Sequence, residues 1–239
     1  MKTLFCGLLI LVGMTVPAFA QEKFFIFPQF VDGGFGDGSY YRSTLMVQQW
    51  ISTNPISCTL RLSGTAATFT TGGQTTSLNI TVPLDGWYIA KTSGTQSFQG
   101  GYAALTCNDY VYANVTYAYY ARGGVKLGEA TVFGVDPAFT FRLVTDQTEG
   151  ARLGLAIAND SDIQETYRIV LRRPDETTAS TSTVIVGAKR ALARFLDEII
   201  PASANNIYEV EVFAPDFSDL SVVGLRFTGA VFSTIPANF

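Results

Sequence analysis

Histidine is absent from the 239 residues of this chain. A Ser-His-Asp triad, a Cys-His nucleophile pair and every histidine-ligated metal centre are therefore excluded. The chain also lacks a G-x-S-x-G nucleophile elbow, a phosphate-binding loop and a dinucleotide fingerprint. Two carboxylates about 5–10 Å apart could still serve a glycosidase, but no spacing among the 20 acidic residues selects such a pair. We therefore expect a protein that is not an enzyme and has no cofactor or metal centre.

Charged residues are scarce, at 15% of the chain, and acids outnumber bases. Without Lys2, which lies in the N-terminal segment discussed next, 15 Lys and Arg face 20 Asp and Glu, a formal charge of −5. Nucleic acids and anionic membranes require a basic surface, so neither is an expected partner. No second long apolar run follows the N-terminus, so we expect no membrane span in the mature chain.

The N-terminus has the three zones of a signal peptide. Lys2 supplies a positive charge, Leu4–Val16 is almost entirely apolar, and Ala18–Ala20 carries small residues at the two positions that signal peptidase reads. The apolar run is too short for a helix to cross a bilayer core of about 30 Å. We predict that residues 1–20 are removed before Gln21 and that the protein is periplasmic, at the cell surface or extracellular.

The rival interpretation of this segment is an uncleaved membrane anchor. Pro17 and the small residues around it mark an end, and no cluster of positive charges follows, so the anchor is disfavoured. Cys6 lies early in the apolar zone and does not follow a small-residue lipobox, so we do not interpret it as a lipidated cysteine.

Two cysteines, Cys58 and Cys107, remain in the expected mature chain. In an oxidising compartment an even pair favours a disulfide over a metal or catalytic site. The bridge would close a loop of about 50 residues and stabilise the fold by roughly 3–4 kcal/mol. Two unpaired buried thiols are the alternative.

Short alternating runs rich in branched and aromatic residues recur between Gly, Pro, Asn and Asp, which is typical of an all-β sandwich. The clearest runs are Ser43–Gln49, Cys58–Leu62, Ser77–Val82, Gly101–Cys107, Val111–Tyr120, Leu153–Ala158, Tyr167–Arg173, Thr181–Val186, Tyr208–Phe213 and Val222–Thr228. Residues 195–200 predict one short helical turn that ends at Pro201 and follows a strand through Arg190–Arg194. A longer helix from Ala188 is the alternative.

The runs also repeat at nearly constant spacing along the chain. Ser43–Gln49 resembles Leu153–Asn159, Cys58–Leu62 resembles Tyr167–Leu171, and Tyr102–Cys107 resembles Tyr208–Phe213. We predict two tandem antiparallel β-sandwich repeats, Ig-like or jelly-roll-like, over residues 21–136 and 137–239.

This alignment sets Cys58 beside Tyr167 and Cys107 beside Phe213. If the two positions face each other across a core, one repeat bridges them with sulfur and the other fills the gap with two aromatic rings.

Several motifs together resemble a β-sandwich repeat found in secreted proteins of environmental bacteria, whose pattern is FPxFADGGG followed by TxLxLxN. The resemblance is carried by Phe27–Gly34, Arg42–Leu45, Gly154–Asn159, Gly224–Phe227 and Phe232–Pro236. It implies an extracellular or cell-surface module without an established activity, and it supplies no catalytic residues. The chain departs from the pattern at Gln48-Gln49, where the first repeat usually has Asn, and by a longer loop at Phe35–Tyr41.

Two segments are candidate binding sites. Asp32 and Asp37 flank a glycine-rich segment whose oxygens could surround Ca²⁺, but the acid spacing of an EF-hand is missing, which favours a turn. In the run Tyr110–Tyr120, alternation places a set of polar and aromatic side chains on one face. That set is Tyr110, Tyr112, Asn114, Thr116 and Tyr120. It could stack against sugars, and cross-strand aromatic packing or contact between the repeats is the alternative.

Two further segments have structural and functional interpretations. Lys23–Phe30 is apolar on both faces, which predicts a buried strand with an edge-tolerated proline. Alternatively, it completes the sheet of a neighbouring molecule and builds a filament. A group of cations is interpreted as a solvated or salt-bridged surface. It comprises Arg172, Arg173, Lys189, Arg190 and Arg194.

The sequence thus favours a non-enzymatic, exported β-sandwich protein that acts as a cell-surface or extracellular interaction module, with protein or polysaccharide as possible partners. Carbohydrate binding through the tyrosine face is the second hypothesis, and a strand-exchanged filament is the third.

Export can be tested directly. Expressed in an export-competent bacterium, the full chain is expected to yield a mature protein whose first residue is Gln21, as read by N-terminal sequencing. Ala20→Leu should block or shift cleavage because the peptidase requires a small residue there, whereas Phe19→Leu should not. Recovery of the chain from the cytoplasm with Met1 still attached would contradict the signal peptide.

Overall fold

The computed structural model describes residues 22–215 and 220–235. The expected signal peptide, Cys6 and Pro236 lie outside the described residues. The chain is an all-β antiparallel sandwich protein, as the alternation of its sequence predicts.

The strands of the described residues alternate with short loops. They are β1 (Lys23–Gly34), β2 (Tyr40–Gln49), β3 (Ile56–Ser63), β4 (Ala67–Thr68), β5 (Gln74–Thr75), β6 (Ser77–Val82), β7 (Trp87–Lys91), β8 (Gln99–Cys107), β9 (Val111–Tyr120), β10 (Lys126–Phe133), β11 (Thr140–Asp146), β12 (Arg152–Asn159), β13 (Glu165–Arg172), β14 (Thr178–Val186), β15 (Arg190–Phe195), β16 (Ile207–Phe213), β17 (Leu220–Thr228) and β18 (Val231–Ile235).

The first half of the described chain contains two layers. One layer has the order β1-β8-β3-β6, and in the other β2 lies between β7 and β9, with β10 at the outer edge of β9. Alternate side chains, such as Leu45, Val47, Leu60 and Leu105, point between the layers and are fully buried. This burial follows from the period of two in each strand.

Strand β1 joins the two layers. Its residues Lys23–Asp32 pair with β8, and Gly33 and Gly34 then pair with β2. Gly33 has a φ of +103°, and a Cβ there would lie 2.6 Å from the carbonyl oxygens of Gln96 and Ser97. Only glycine fits this close approach without strain.

The second half also contains two layers, β11-β16-β13-β14 and β15-β12-β17-β18, around a separate apolar core. These strand orders correspond one to one with β1-β8-β3-β6 and β7-β2-β9-β10 of the first half. The predicted boundary after residue 136 falls in the connection between β10 and β11. The division into two domains stays a prediction.

A short helix follows β15, as the sequence predicts near residues 195–200. Helix α1 covers Leu196–Ile199, and a 3-10 turn covers Pro201–Ser203. Strand β15 occupies Arg190–Phe195, so the alternative of a longer helix from Ala188 is wrong. Among the described residues, no helix is long and apolar enough to cross a membrane.

The predicted disulfide joins Cys58 and Cys107, but its position differs from the expectation. The two cysteines are direct cross-strand neighbours on β3 and β8, with Cα atoms 4.1 Å apart. They therefore lie in one sheet and do not bridge the two layers. Close cross-strand pairs of this kind bring side chains near enough to bond.

The predicted aromatic replacement of this bridge in the second half is also wrong. Phe213 on β16 lies opposite Arg168, whose guanidinium carbon is 4.4 Å from the ring centroid, and does not face Tyr167. Because antiparallel register advances by one residue on each strand, the next position sets the buried Tyr167 against Ala214. A large and a small residue thus take the two cysteine positions.

The two halves pack through the back of β1 and β8. Ile26 and Tyr102 are buried there against Ala158 of β12. Asp160 accepts a hydrogen bond from the Tyr102 hydroxyl and forms a 2.7 Å ion pair with Arg61. The second half therefore covers the outer face of β1, which explains why this strand is apolar on both faces. Pro28 lies at its β-bulge between Phe27 and Phe30.

Removal of the disulfide tests its contribution to stability. The double variant Cys58→Ala/Cys107→Ala is expected to lose about 3–4 kcal/mol of unfolding free energy, because the unfolded chain regains the freedom of the closed loop. Guanidinium denaturation measures the loss. Wild-type protein reduced with dithiothreitol should unfold at the same midpoint as the variant, and an unchanged midpoint after full reduction would contradict the bridge.

The crossing of β1 between sheets is tested by a pair of glycine variants. Gly33→Ala is expected to lower the unfolding free energy by about 2–4 kcal/mol, because its methyl group meets two carbonyl oxygens in a left-handed conformation. Gly36→Ala is the matched control, since a Cβ there has no heavy atom within 4 Å. Equal stability of the two variants would show that the crossing does not depend on Gly33.

Candidate functional site

The predicted tyrosine face lies on the outside of the second layer of the first half. Alternation along β9 directs Tyr112, Asn114, Thr116 and Tyr120 outward, and Val115 and Tyr117 into the core. Tyr110 immediately precedes the strand and is exposed. The strands β7, β2, β9 and β10 present their outward side chains on this same face.

Tyr120 lies at the packed end of the face. Its ring stacks on that of Tyr40 with centroids 4.9 Å apart and planes inclined by 8°. The Arg42 guanidinium carbon lies 5.2 Å from the Tyr40 centroid and 5.6 Å from that of Tyr120. This end therefore has the cross-strand aromatic packing that the sequence left as an alternative.

Tyr110 and Tyr112 lie at the other end, where a tryptophan joins them. Trp50 approaches Tyr112 with ring centroids 5.2 Å apart and meets Tyr110 edge-on at 5.9 Å. The Lys23 ammonium lies 3.7 Å from the Tyr110 centroid. These contacts hold the rings in place, although Trp50 is 52% and Tyr112 55% exposed.

Exposed apolar side chains extend this end across the sheet. Trp87 on β7 is 67% exposed and pairs with Gln48 on β2, which pairs in turn with Tyr112 on β9. Strands lie about 4.8 Å apart, so side chains on β7 and β9 stand about 10 Å apart across β2. On the next row, Ile89 pairs with Met46, and Phe133 pairs with Asn114.

We call this surface the aromatic platform. It comprises Trp50, Trp87, Ile89, Tyr110, Tyr112 and Phe133. Polar groups interrupt it, since Gln48 is exposed between Trp87 and Tyr112. Thr116 shares a 2.9 Å hydroxyl hydrogen bond with Thr131 beside it. Exposed rings with nearby amides and hydroxyls can bind a ligand that has both apolar faces and polar edges.

The sequence interpretation missed Trp50, Trp87, Ile89 and Phe133. Trp87 begins β7, a strand that was not recognised because its exposed and half-buried residues give a weak alternation. The sequence offered one signal, which is that the chain has only two tryptophans. The structure exposes both of them at the same end of one sheet.

The candidate calcium ligands Asp32 and Asp37 are not brought together. The buried Asp32 carboxylate accepts hydrogen bonds from the backbone N–H groups of Thr68 (3.2 Å) and Gly94 (3.0 Å). Asp37 instead accepts from the N–H and hydroxyl of Ser39, and these hydrogen bonds lower the pKa of its carboxyl group. Each carboxylate therefore organises a different piece of backbone.

The cations predicted to form one surface have separate environments. Arg172 pairs with the buried Glu211 at 2.5 Å, and Lys189 lies 3.4 Å from Asp162. Arg190 and Arg194 lie on β15 with exposed side chains. Some of these cations therefore form salt bridges and others are exposed to solvent, which is consistent with the sequence interpretation.

Neither family models, curated proteins nor solved structures show a significant match to this chain. The resemblance to exported β-sandwich repeats rests on its motifs and stays a prediction.

Proposed function

We propose that this chain is a non-enzymatic, exported β-sandwich protein that acts as an interaction module at the cell surface or outside the cell, and that it binds polysaccharide through the aromatic platform. The observation that carries the proposal is the exposure of both tryptophans beside Tyr112 on one sheet face. A contiguous exposed apolar patch on a protein surface marks an interaction or ligand-binding site, whereas single exposed apolar side chains are common.

The geometry of the platform favours an extended sugar chain. Trp87 and Tyr112 stand about 10 Å apart, so each can support a separate ring of the polymer. The apolar faces of the sugar rings would lie on the aromatic rings, and their hydroxyl groups would reach Gln48 and Thr116. The row of side chains across neighbouring strands offers this support along a line, which a deep pocket for a single sugar does not.

Export and duplication form part of the same proposal. The N-terminal residues have the pattern of a signal peptide, and the disulfide suits an oxidising compartment. The matching strand orders of the two halves support a tandem repeat. A strand-exchanged filament has less support, because β1 pairs with β8 of its own sheet over most of its length.

Polysaccharide binding is tested with a glycan array and with pull-down on insoluble cellulose, chitin and calcium alginate. We expect the wild-type protein to bind at least one of these polymers. Trp87→Ala and Tyr112→Ala should each weaken that binding about tenfold or more, which corresponds to about 1.4 kcal/mol, because each change removes one stacking surface.

Two variants serve as controls. Ile185→Ala removes an exposed apolar side chain from the outside of the second half and should leave binding unchanged. Tyr120→Ala changes the packed end of the face and should weaken binding less than Tyr112→Ala. Absence of binding by the wild type, or binding that survives both Trp87→Ala and Tyr112→Ala, would rule out the platform as a polysaccharide site.

A further inference from the structure

A cleft lies where the two halves meet, and each half contributes one of its walls. Its volume is about 410 Å³, within the range of about 300–1,000 Å³ that is typical of small-molecule sites. The first wall contains Phe35, which follows β1, and Phe98, which precedes β8. The second wall contains Phe195 at the end of β15 and Phe227 on β17.

The aromatic rings of each wall support one another. In the first wall, Phe35 stacks on Phe98 with ring centroids 4.6 Å apart. In the second wall, Phe227 stacks on Phe232 at 5.2 Å and meets Phe195 edge-on, also at 5.2 Å. These contacts fix the rings in place, so a flat apolar molecule can enter without the cost of ordering them.

Small residues keep the space between the two walls open. Ala193 and Phe195 lie on the same face of β15, because side chains two residues apart along a strand share a face, and both line the cleft. Gly154 pairs with Phe195 across the sheet, and a Cβ there would lie 2.8 Å from the ring of Phe227. A larger side chain at either small residue would therefore fill the cleft or displace its second wall.

The charges at the rim of the cleft balance one another. Arg152 makes two hydrogen bonds to Asp197, of 2.9 and 2.7 Å, and lies 3.2 Å from Glu198. Arg194 also belongs to the lining, but it pairs with an inward residue of β12 and so lies on the face of β15 away from the aromatic wall. Two positive and two negative charges thus leave no net charge that would draw an ion into the cleft.

The neutral polar groups of the lining are also engaged. The hydroxyl of Tyr117 donates to the carbonyl oxygen of Gln29, so these two groups satisfy each other. Burial raises the pKa of Tyr41 to about 12 and also raises the pKa of Tyr117, so both side chains stay neutral at ordinary pH. A charged ligand would lose its hydration here without gaining a partner.

We infer that this cleft binds a small, neutral aromatic molecule. The flat ring system lies between the two aromatic walls and makes stacked or edge-on contacts with both. Phe35 and Phe98 are 41% and 40% exposed, so the ligand also removes apolar surface from water. Nothing in this inference depends on polysaccharide binding, because the aromatic platform and the cleft share no residue.

The test is fluorescence titration with the neutral probe N-phenyl-1-naphthylamine and with its sulfonated counterpart, 1-anilinonaphthalene-8-sulfonate. We expect the neutral probe to bind once per chain and about tenfold or more tightly than the sulfonate, because only the sulfonate must bury a charge. Phe98→Ala should weaken binding of the neutral probe about tenfold, since it removes half of the first wall. Ala193→Trp fills the cleft from an exposed position and should abolish binding.

Phe133→Ala is the matched control, because it removes an exposed phenylalanine from the aromatic platform and should leave probe binding unchanged. Far-UV circular dichroism confirms that each variant is folded. No binding of the neutral probe, equal or tighter binding of the sulfonate, or full affinity in Ala193→Trp would overturn the inference. Loss of binding in Phe133→Ala would place the probe on the platform instead. Probe binding that disappears as the chain self-associates in sedimentation would show that a second copy occupies the cleft, which also overturns it.

Discussion

The carboxylate of Asp32 holds strand β4 and the loop after β7 at the point where β1 passes from one layer of the first half to the other. Its two oxygens accept from the N–H groups of Thr68 and Gly94. A buried acceptor of this strength fixes the backbone around it, because an unpaired buried N–H or carboxylate would be costly. Gly33 then lets the strand pass beneath the carbonyl groups of Gln96 and Ser97. The first core and the contact between the halves both depend on the path of β1.

The same strand explains how the two halves share their apolar surface. A strand with one face in a core and the other in water shows alternating polarity, whereas β1 is apolar on both sides. Phe27 and Phe30 point into the first core, and Ile26 lies against Ala158 of the second half. The first half alone would expose this face, so the two halves stabilise each other through it.

Strand β9 separates two surfaces with different chemistry. Its outward residues include the exposed Tyr112 and the stacked Tyr120, while its inward residues include Tyr117 and Tyr119. Tyr117 is buried in the core, and the ring centroid of Tyr119 lies 4.8 Å from that of Tyr41. Tyrosine suits both sides because its ring is apolar and its hydroxyl can still find a partner or solvent. The outward side leaves Tyr112 exposed to solvent, and the inward side packs its rings into the interior of the protein.

The period-two alternation, the turn residues and the two cysteines are sufficient to predict the all-β fold class, several strands and the disulfide of this protein. Alternation is a local property, so the strands Val111–Tyr120 and Tyr208–Phe213 and the short helical turn after β15 could be predicted from neighbours in sequence. The pairing of Cys58 with Cys107 followed from their number and their expected compartment.

Register and the meeting of distant strands were decided only by the tertiary structure. The predicted pairing of Tyr167 with Phe213 and the observed pairing of Tyr167 with Ala214 differ by one residue of register. The sequence repeat cannot resolve a difference of that size. The same limit explains why the sequence did not predict the aromatic platform. Trp87 comes near Tyr112 only because β2 lies between their strands, and Ile26 meets Ala158 only where the halves pack. Local pattern selects which side chains point outward, whereas long-range packing selects which of them become neighbours.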